Sequence, residues 1–236
     1  MEKKIRKILQ HLPFLILDQR KTRGYSLMHD LRFWNKHKSS MVIFDVGANV
    51  GEITNDFCRY LPGSRIYAAE PISETYEKLV DNCKKLKNVI PLNFGFGNKE
   101  DELDMYVIED SKYSSVLDSS FAAKHNHKIE KVKVTTLDSF CSLNGIQEID
   151  ILKTDTEGFD LEVLSGGKNL LDKKSIRFIV SEATTLRHKT NNTSFFSLAE
   201  FLGGYGYVLT GFYDLVRTEG SHGPIRVTNA LFEPYL

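Results

Sequence analysis

An apolar run that ends in a glycine turn constrains this chain most strongly, at residues 41–53, which read M-V-I-F-D-V-G-A-N-V-G-E-I. Such a run, bounded by glycine, is typical of a strand that is buried on both faces inside a parallel sheet. The residues that follow carry apolar side chains at helical spacing, namely Ile53, Phe57, Tyr60 and Leu61. The sequence therefore predicts a strand, a glycine loop and a helix.

The glycine loop is typical of a nucleotide-type pocket. Glycine lets a ligand approach the backbone closely, and the N–H groups at a helix start favour polar or anionic ligands. A dinucleotide fingerprint needs G-x-G-x-x-G, and Asn49 and Glu52 occupy its second and third glycine positions. The spacing from Asp45 through Gly47 to Gly51 instead resembles the first motif of Rossmann-like S-adenosylmethionine-dependent methyltransferases. A plain tight turn between strand and helix is the alternative interpretation.

Length and charge limit the class of protein. A chain of 236 residues most simply forms one α/β domain. Its 31 basic and 31 acidic residues cancel, so no global charge attracts nucleic acid, and we expect no nucleic-acid partner. The odd number of cysteines, without metal-ligand spacing, indicates reduced thiols in a cytoplasmic protein rather than a disulfide framework or a zinc site. They are Cys58, Cys83 and Cys141.

Residues 1–40 are predicted to be a basic, helical lead-in to a domain that spans residues 41–236. No apolar run approaches the roughly 20 residues of a membrane span. Gln10, His11 and Pro13 interrupt the apolar part of residues 1–17, which disfavours a signal peptide. We expect this segment to pack on the domain or on a partner subunit of a homo-oligomer, with weak association with a membrane surface as the other interpretation.

Strand and helix patterns alternate after residue 41, which predicts a Rossmann-like α/β fold with a doubly wound, mostly parallel sheet. An antiparallel β insertion is expected around residues 100–137, where two β-rich runs have no long helix between them. Two final runs predict a closing antiparallel hairpin. The predicted strands are residues 41–46, 65–70, 89–94, 103–109, 131–137, 150–155, 177–183, 207–213 and 225–233.

Acidic residues end four of the predicted parallel strands, at Asp45, Glu70, Asp155 and Glu182. Ligands of open parallel sheets lie beyond the carboxyl ends of the strands, so these side chains are candidates for a site. Glu70 is spaced to accept hydrogen bonds from two ribose hydroxyls. Asp45 is expected to organise the loop by accepting backbone N–H bonds from the turn. Residues 95–98 are the candidate position for an adenine ring, with turn and core packing as the alternative.

The motif I-L-K-T-D-T-E-G-F-D-L-E-V-L-S-G-G at residues 151–167 makes a resemblance specific. Together with V-I-F-D-V-G-A-N-V-G, A-A-E-P and V-T-T-L-D, it resembles the FkbM family of methyltransferases from residue 41 onward. The resemblance implies transfer of a methyl group from S-adenosylmethionine to a hydroxyl of a sugar, glycan or natural product. Gly95 stands where this family usually has alanine, which leaves the adenine contacts open. The expected cofactor-binding residues are Asp45, Gly47, Asn49, Gly51, Glu70, Pro71, Gly95 and Asn98.

A hydroxyl acceptor needs a base, because its proton must leave as the new C–O bond forms. Asp155 is the first candidate for that base, and Glu182 is the second. Lys153 points to the same side of its strand as Asp155 and could lower its pKa, hold the acceptor oxygen or form only an ion pair. His188 could relay a proton or bind the acceptor, unless it is simply solvated. Asp155, Glu157 and Glu182 could alternatively hold a divalent cation, but we favour catalysis without a metal.

Other functions remain open at this point. A methyltransferase that acts on nitrogen or nucleic acid is disfavoured by the neutral charge and by the lack of an N/D-P-P-Y/F motif. A donor-binding protein whose partner supplies catalysis is disfavoured because Asp155 and Glu182 are present. The identity of the acceptor does not follow from the residues.

Overall fold

The computed structural model describes residues 24–108, 114–115, 127–186, 192–218 and 222–235, and these contain two β-sheets with flanking helices. In chain order the elements are α1 (Leu27–Trp34), β1 (Val42–Val46), α2 (Glu52–Tyr60), β2 (Arg65–Ala69), α3 (Ser73–Cys83), β3 (Val89–Leu92), β4 (Gly95–Phe96), β5 (Asp101–Ile108), β6 (Ser114–Ser115), β7 (His127–Thr135), α4 (Leu137–Leu143), β8 (Ile149–Thr154), α5 (Asp160–Ser165), α6 (Lys168–Asp172), β9 (Ile176–Ala183), α7 (Phe195–Gly204), β10 (Tyr207–Arg217) and β11 (Ile225–Pro234).

The larger sheet has seven strands in the order β10-β11-β9-β8-β1-β2-β3. The strands from β9 to β3 pair in parallel, and β1 lies at the centre between β8 and β2. β11 pairs antiparallel with both β9 and β10. This arrangement confirms the predicted Rossmann-like, doubly wound sheet with a closing antiparallel hairpin.

Apolar side chains cover both faces of the larger sheet. Phe44 and Leu152 belong to a core cluster on one face, whereas their neighbours Ile43 and Ile151 belong to a cluster on the other. All four are fully buried. Strands buried on both faces read as continuous apolar runs, which is why β1 and β8 were visible in the sequence.

Helix α1 lies in the described part of the N-terminal lead-in, residues 24–40, and it packs on the face of the sheet that carries Ile43. Its residues Leu27 and Leu31 are buried in that cluster. The Tyr213 hydroxyl on β10 donates a hydrogen bond to Asp30 at 2.9 Å, which ties α1 to the closing hairpin. The division of the chain at residue 40 stays a prediction, and residues 1–23 lie outside the described part.

The smaller sheet has the strand order β4-β7-β5-β6, with β5 and β7 antiparallel over eight residue pairs. Strand β3 ends at Leu92, earlier than predicted, because Gly95 and Phe96 pair with β7 of this second sheet instead. The apolar face of the smaller sheet packs on Ile72, at the start of α3. The smaller sheet therefore lies over the carboxyl end of β2.

The helices in the described part of the chain are α1 to α7. None of the helices there is both long enough and apolar enough to cross a bilayer.

Gly166 generates a testable prediction about packing. A Cβ at this position would lie 2.0 Å from the Gly97 carbonyl oxygen, so the Gly166→Ala variant must displace backbone. We expect it to lower the free energy of unfolding by about 1 to 3 kcal/mol, measured by urea denaturation.

Gly203→Ala is the matched control, because Gly203 lies in α7 with nothing within 4 Å of an added Cβ. This variant should leave the stability unchanged or raise it by up to about 1 kcal/mol, since alanine favours the helix. Equal effects of the two substitutions would contradict the packing assigned to Gly166.

Candidate functional site

A cleft of about 630 Å³ opens at the carboxyl ends of β1, β2, β8 and β9. The smaller sheet closes one side of it through apolar side chains of β5 and β7. This volume lies within the range of small-molecule and cofactor sites. The expected site residues that line the cleft are Gly47, Asn49, Glu70, Pro71, Gly95, Lys153, Asp155 and Glu182.

The two glycines of the loop after β1 are required by packing within the protein. Gly47 has a φ of +78°, and a Cβ there would lie 1.9 Å from the Asp155 carbonyl oxygen. Gly51 has a φ of +89°, precedes α2, and would place a Cβ 2.7 Å from Leu79 Cδ1 on α3. The glycines thus let β1 approach β8 and let α2 approach α3. Of the two, only Gly47 lines the cleft.

Glu70 follows β2 and lies between the glycine loop and the start of α3. Its two carboxylate oxygens accept hydrogen bonds from the backbone N–H groups of Asn49 and Ile72, each at 3.0 Å. Burial raises the pKa of Glu70 to about 7 and outweighs these two hydrogen bonds, which lower it. Glu70 therefore links the two loops that border this end of the cleft, and its protonation changes near neutral pH.

Asp45 lies beneath the cleft, fully buried, and is not itself one of the lining residues. We expected its carboxylate to accept N–H bonds from the turn, and the structure corrects this expectation. Asp45 accepts from the Thr54 hydroxyl on α2 at 2.6 Å, whereas Gly47 and Ala48 donate to the Ala69 carbonyl oxygen. The start of the turn continues the β1–β2 ladder, so the N–H groups of Gly47 and Ala48 already have a backbone acceptor.

Lys153 is a buried cation between two carboxylates, directly opposite Asp45 in the β1–β8 pair. Its Nζ lies 3.1 Å from Asp155 Oδ2 and 3.6 Å from Asp45 Oδ1, and its side chain is 6% exposed. Burial alone would lower the pKa of Lys153, but Asp155 and Asp45 raise it further than burial lowers it. Lys153 therefore stays charged and holds one oxygen of Asp155.

Three carboxylates meet at the other end of the cleft. One oxygen from each of Asp155, Glu157 and Glu182 lies within 4.8 Å of the other two. Burial, followed by the charge of Asp155, raises the pKa of Glu182 to about 8 and that of Glu157 to about 7. The two glutamates can therefore exchange protons near neutral pH, and oxygens of all three carboxylates could also hold a hard divalent cation.

The predicted adenine segment is only partly at the cleft. Gly95 and Phe96 line it, but Asn98 is exposed and lies outside the lining residues. The Phe96 ring is 2% exposed and packs edge-on against Phe44 and Phe140, so it is mainly a core residue. The structure therefore does not bring Asn98 to the cleft, because it follows β4 of the smaller sheet and its side chain is exposed there.

The loop after β9 borders the end of the cleft that carries the three carboxylates, which we call the acidic end. His188 lies outside the described residues, so its predicted role stays untested. The ends of the loop are fixed, because Thr184 N donates to the Thr193 carbonyl and Phe195 N donates to the Thr184 carbonyl, each at 2.9 Å. Asn192 Nδ2 donates to Glu182 Oε2 at 2.6 Å and orients that carboxylate.

Sequence reasoning missed several residues that shape the cleft. No local signal marked Asn192, because its contact with Glu182 depends on how the loop returns. A signal did exist for the wall formed by the smaller sheet, since alternate residues on its strands are apolar and face the same way. Those that line the cleft are Leu103, Met105, Val107, Val132 and Val134.

The sequence is similar to a family model and to two known methyltransferases. The model of the methyltransferase FkbM domain matches residues 45–209. The hexuronic acid methyltransferase AglP of Haloferax volcanii is 27% identical over 147 residues, which cover 60% of this chain and 55% of AglP. The 2-O-methyltransferase NoeI of Sinorhizobium fredii is 25% identical over 157 residues, covering 61% of this chain and 64% of NoeI. The matched regions thus span roughly half to two thirds of these relatives.

Solved structures share the fold at low sequence identity. The METTL16 MTase domain superimposes with a TM-score of 0.52 at 13% identity, covering 89% of this chain and 65% of that one. A chain of the fibrillarin/Nop5p complex gives a TM-score of 0.51 at 14% identity, covering 84% and 74%. These likenesses concern the fold alone. The match to residues 45–209 covers more than half of the sequence, and the chain therefore belongs to the FkbM methyltransferase domain family.

Proposed function

We propose that this protein is an S-adenosylmethionine-dependent O-methyltransferase that acts on a hydroxyl of a sugar, glycan or natural product. The observation that carries the proposal is a single cleft with Glu70 and the glycine loop at one end and Asp155 and Glu182 at the other. Family membership and the names of AglP and NoeI, which specify methylation of a hexuronic acid and 2-O-methylation, support it.

The end of the cleft that carries Glu70 and the glycine loop, the donor end, has the groups needed to bind a nucleoside. Glu70 is 7% exposed but lines the cleft, and its oxygens retain free lone pairs beyond the two backbone hydrogen bonds they accept. It can therefore accept hydrogen bonds from ribose hydroxyls. Bound S-adenosylmethionine supplies an electrophilic methyl group on a sulfonium, and the role of the protein is to hold the acceptor oxygen in line with it.

The acidic end suits proton removal. Asp155 Oδ2 is held by Lys153 at 3.1 Å, which fixes the side chain while Oδ1 remains able to accept the acceptor's proton. Glu182 is the second candidate base, favoured by its pKa of about 8, which burial raises into the range in which a base works best at neutral pH. The proton leaves the hydroxyl for one of these carboxylates as the C–O bond forms.

Alternative activities are methyl transfer to nitrogen and catalysis that needs a partner protein. Neither is favoured by a specific contact, whereas two carboxylates beside the cleft match the need of a hydroxyl acceptor for a base. A screen of defined monosaccharide and oligosaccharide acceptors with the purified chain, read by mass spectrometry, tests the proposal directly. Donor binding without turnover on any oxygen acceptor would count against it.

Donor binding gives the next prediction. S-adenosylhomocysteine should bind the wild type in isothermal calorimetry at pH 8, and Glu70→Gln should raise its Kd at least about tenfold, since hydrogen bonds to a charged group contribute about 1.5 to 3 kcal/mol. Glutamine keeps one acceptor oxygen and so retains one of the two backbone contacts. Glu77→Gln, an exposed change on α3 away from the cleft, is the control and should leave the Kd unchanged.

The pH dependence isolates the charge of Glu70. Its pKa is about 7, so its carboxylate is ionised above that pH and becomes protonated as the pH falls through it. The wild-type Kd should therefore rise below about pH 7 and approach that of Glu70→Gln, whose Kd lacks this contribution. A constant ratio of the two Kd values from pH 8 to pH 6 would contradict the assignment.

The base assignment gives a kinetic prediction. Asp155→Asn should bind S-adenosylhomocysteine within about threefold of the wild type but lose about 10² to 10⁴ in methyl-transfer rate, the usual contribution of a general base. Glu182→Gln is measured in parallel with the same acceptor. If Asp155→Asn stays active while Glu182→Gln does not, the base is Glu182.

Metal dependence is tested separately, and we propose catalysis without a metal. Protein dialysed against EDTA should keep its turnover rate, because proton transfer to Asp155 or Glu182 needs no Lewis acid. The opposite result would be activity that is lost on dialysis and that Mg²⁺ or Mn²⁺ restores in the wild type but not in Glu157→Gln. It would instead assign a cation to the three carboxylates.

A further inference from the structure

Strand β7 carries one acidic residue on its cleft side. Alternate residues of a strand face the same way, and on β7 the inward series contains Lys128, Glu130, Val132 and Val134. Both valines are buried against Ile72, and Glu130 is half-buried beside them. Its carboxylate is therefore within reach of polar groups at the start of α3.

Glu130 finds those partners at Ser73, the first residue of α3. Its Oε1 accepts hydrogen bonds from Ser73 N at 2.8 Å and from Ser73 Oγ at 2.6 Å. The residue before the helix, Ile72, supplies no side-chain cap of its own. Glu130 therefore caps α3 from another sheet, and its negative charge lies at the positive end of the helix.

The same turn is held from inside the cleft by Glu70. Glu70 Oε1 accepts from Ile72 N at 3.0 Å, so two successive N–H groups of the turn are bound by carboxylates, one from Glu70 just after β2 and one from Glu130 on β7. Lys128 adds a 3.6 Å ion pair to Glu74, but both side chains are exposed, so this contact contributes little. Glu130 is thus the main polar link between the smaller sheet and this turn.

We propose that Glu130 is a positioning residue that holds the Glu70–Ser73 turn in the conformation that binds the methyl donor. The inference rests on the proposed donor-binding function. Because the turn is ordered before the ligand arrives, binding does not have to supply the free energy of ordering it. Loss of Glu130 should therefore weaken donor binding through Glu70, although Glu130 itself is not required to touch the donor.

Calorimetry with S-adenosylhomocysteine at pH 8 tests this inference. Glu130→Ala should raise the Kd at least fivefold, and Glu130→Gln, which keeps an acceptor oxygen, should restore it to within about twofold of wild type. Ser73→Ala removes only the hydroxyl bond and should raise the Kd by a smaller factor. Asp104→Ala is the matched control, because it removes an exposed ion pair with Lys131 on the same sheet. It should leave the Kd unchanged.

A pH series separates positioning from a general loss of stability. The charged groups that act on Glu70 are Asp45 from β1 and Glu130 from β7, and both raise its pKa. In Glu130→Gln, the rise in Kd on acidification should therefore begin at a lower pH than in the wild type. We call the pH at half of this rise in Kd the midpoint. A change in melting temperature alone would not move the midpoint.

The outcomes separate the two proposals. If the wild type does not bind S-adenosylhomocysteine, the proposed function itself fails. If the wild type binds it and Glu130→Ala stays within twofold of its Kd, or if Asp104→Ala weakens binding equally, Glu130 is not a positioning residue. Should Glu130→Ala fail to fold, Ser73→Ala and the midpoint in Glu130→Gln decide the question, and no effect in either would overturn the inference.

Discussion

The buried contact of Lys153 with Asp45 and Asp155 is the interaction on which the rest of the site depends. It joins the two central strands at their carboxyl ends, where a Cβ on Gly47 would already collide with the Asp155 carbonyl. Removing one partner of a buried ion pair typically costs about 3 to 5 kcal/mol, because the other charge stays desolvated. Lys153 therefore fixes the floor of the cleft and the orientation of Asp155 together.

The two ends of the cleft above this floor carry different functional groups. At one end, Glu70 joins the glycine loop to the start of α3 through backbone hydrogen bonds. At the other end, Asp155, Glu157 and Glu182 crowd together, and burial raises the pKa of Glu157 to about 7 and that of Glu182 to about 8. The smaller sheet closes the donor end, and the loop after β9 borders the acidic end. Under the proposed function, recognition of the donor and choice of the acceptor thus fall to different loops.

Sequence reasoning succeeded where a pattern was local or where strand ends meet. It predicted β1, the start of α2 after Gly51, and the convergence of Glu70, Asp155 and Glu182, because parallel strands end at one edge of the sheet. Asn98 lies outside the lining residues, and nothing local shows that Gly95 and Phe96 already pair with the smaller sheet. Sequence reasoning misassigned the hydrogen bonds of Asp45, whose neighbour Thr54 lies on the following helix.

The sequence by itself determined the fold class, the family and the acids at the strand ends, because periodicity, glycine spacing and the motif of residues 151–167 are properties of short segments. Only the tertiary structure decided which of these residues reach the cleft and which support it from below. Burial and long-range contacts determine these roles. Asp45 is a buried partner of Lys153, and Glu130 caps a helix that begins 57 residues before it in the chain. Such contacts depend on how sheets and loops pack, which no local pattern specifies.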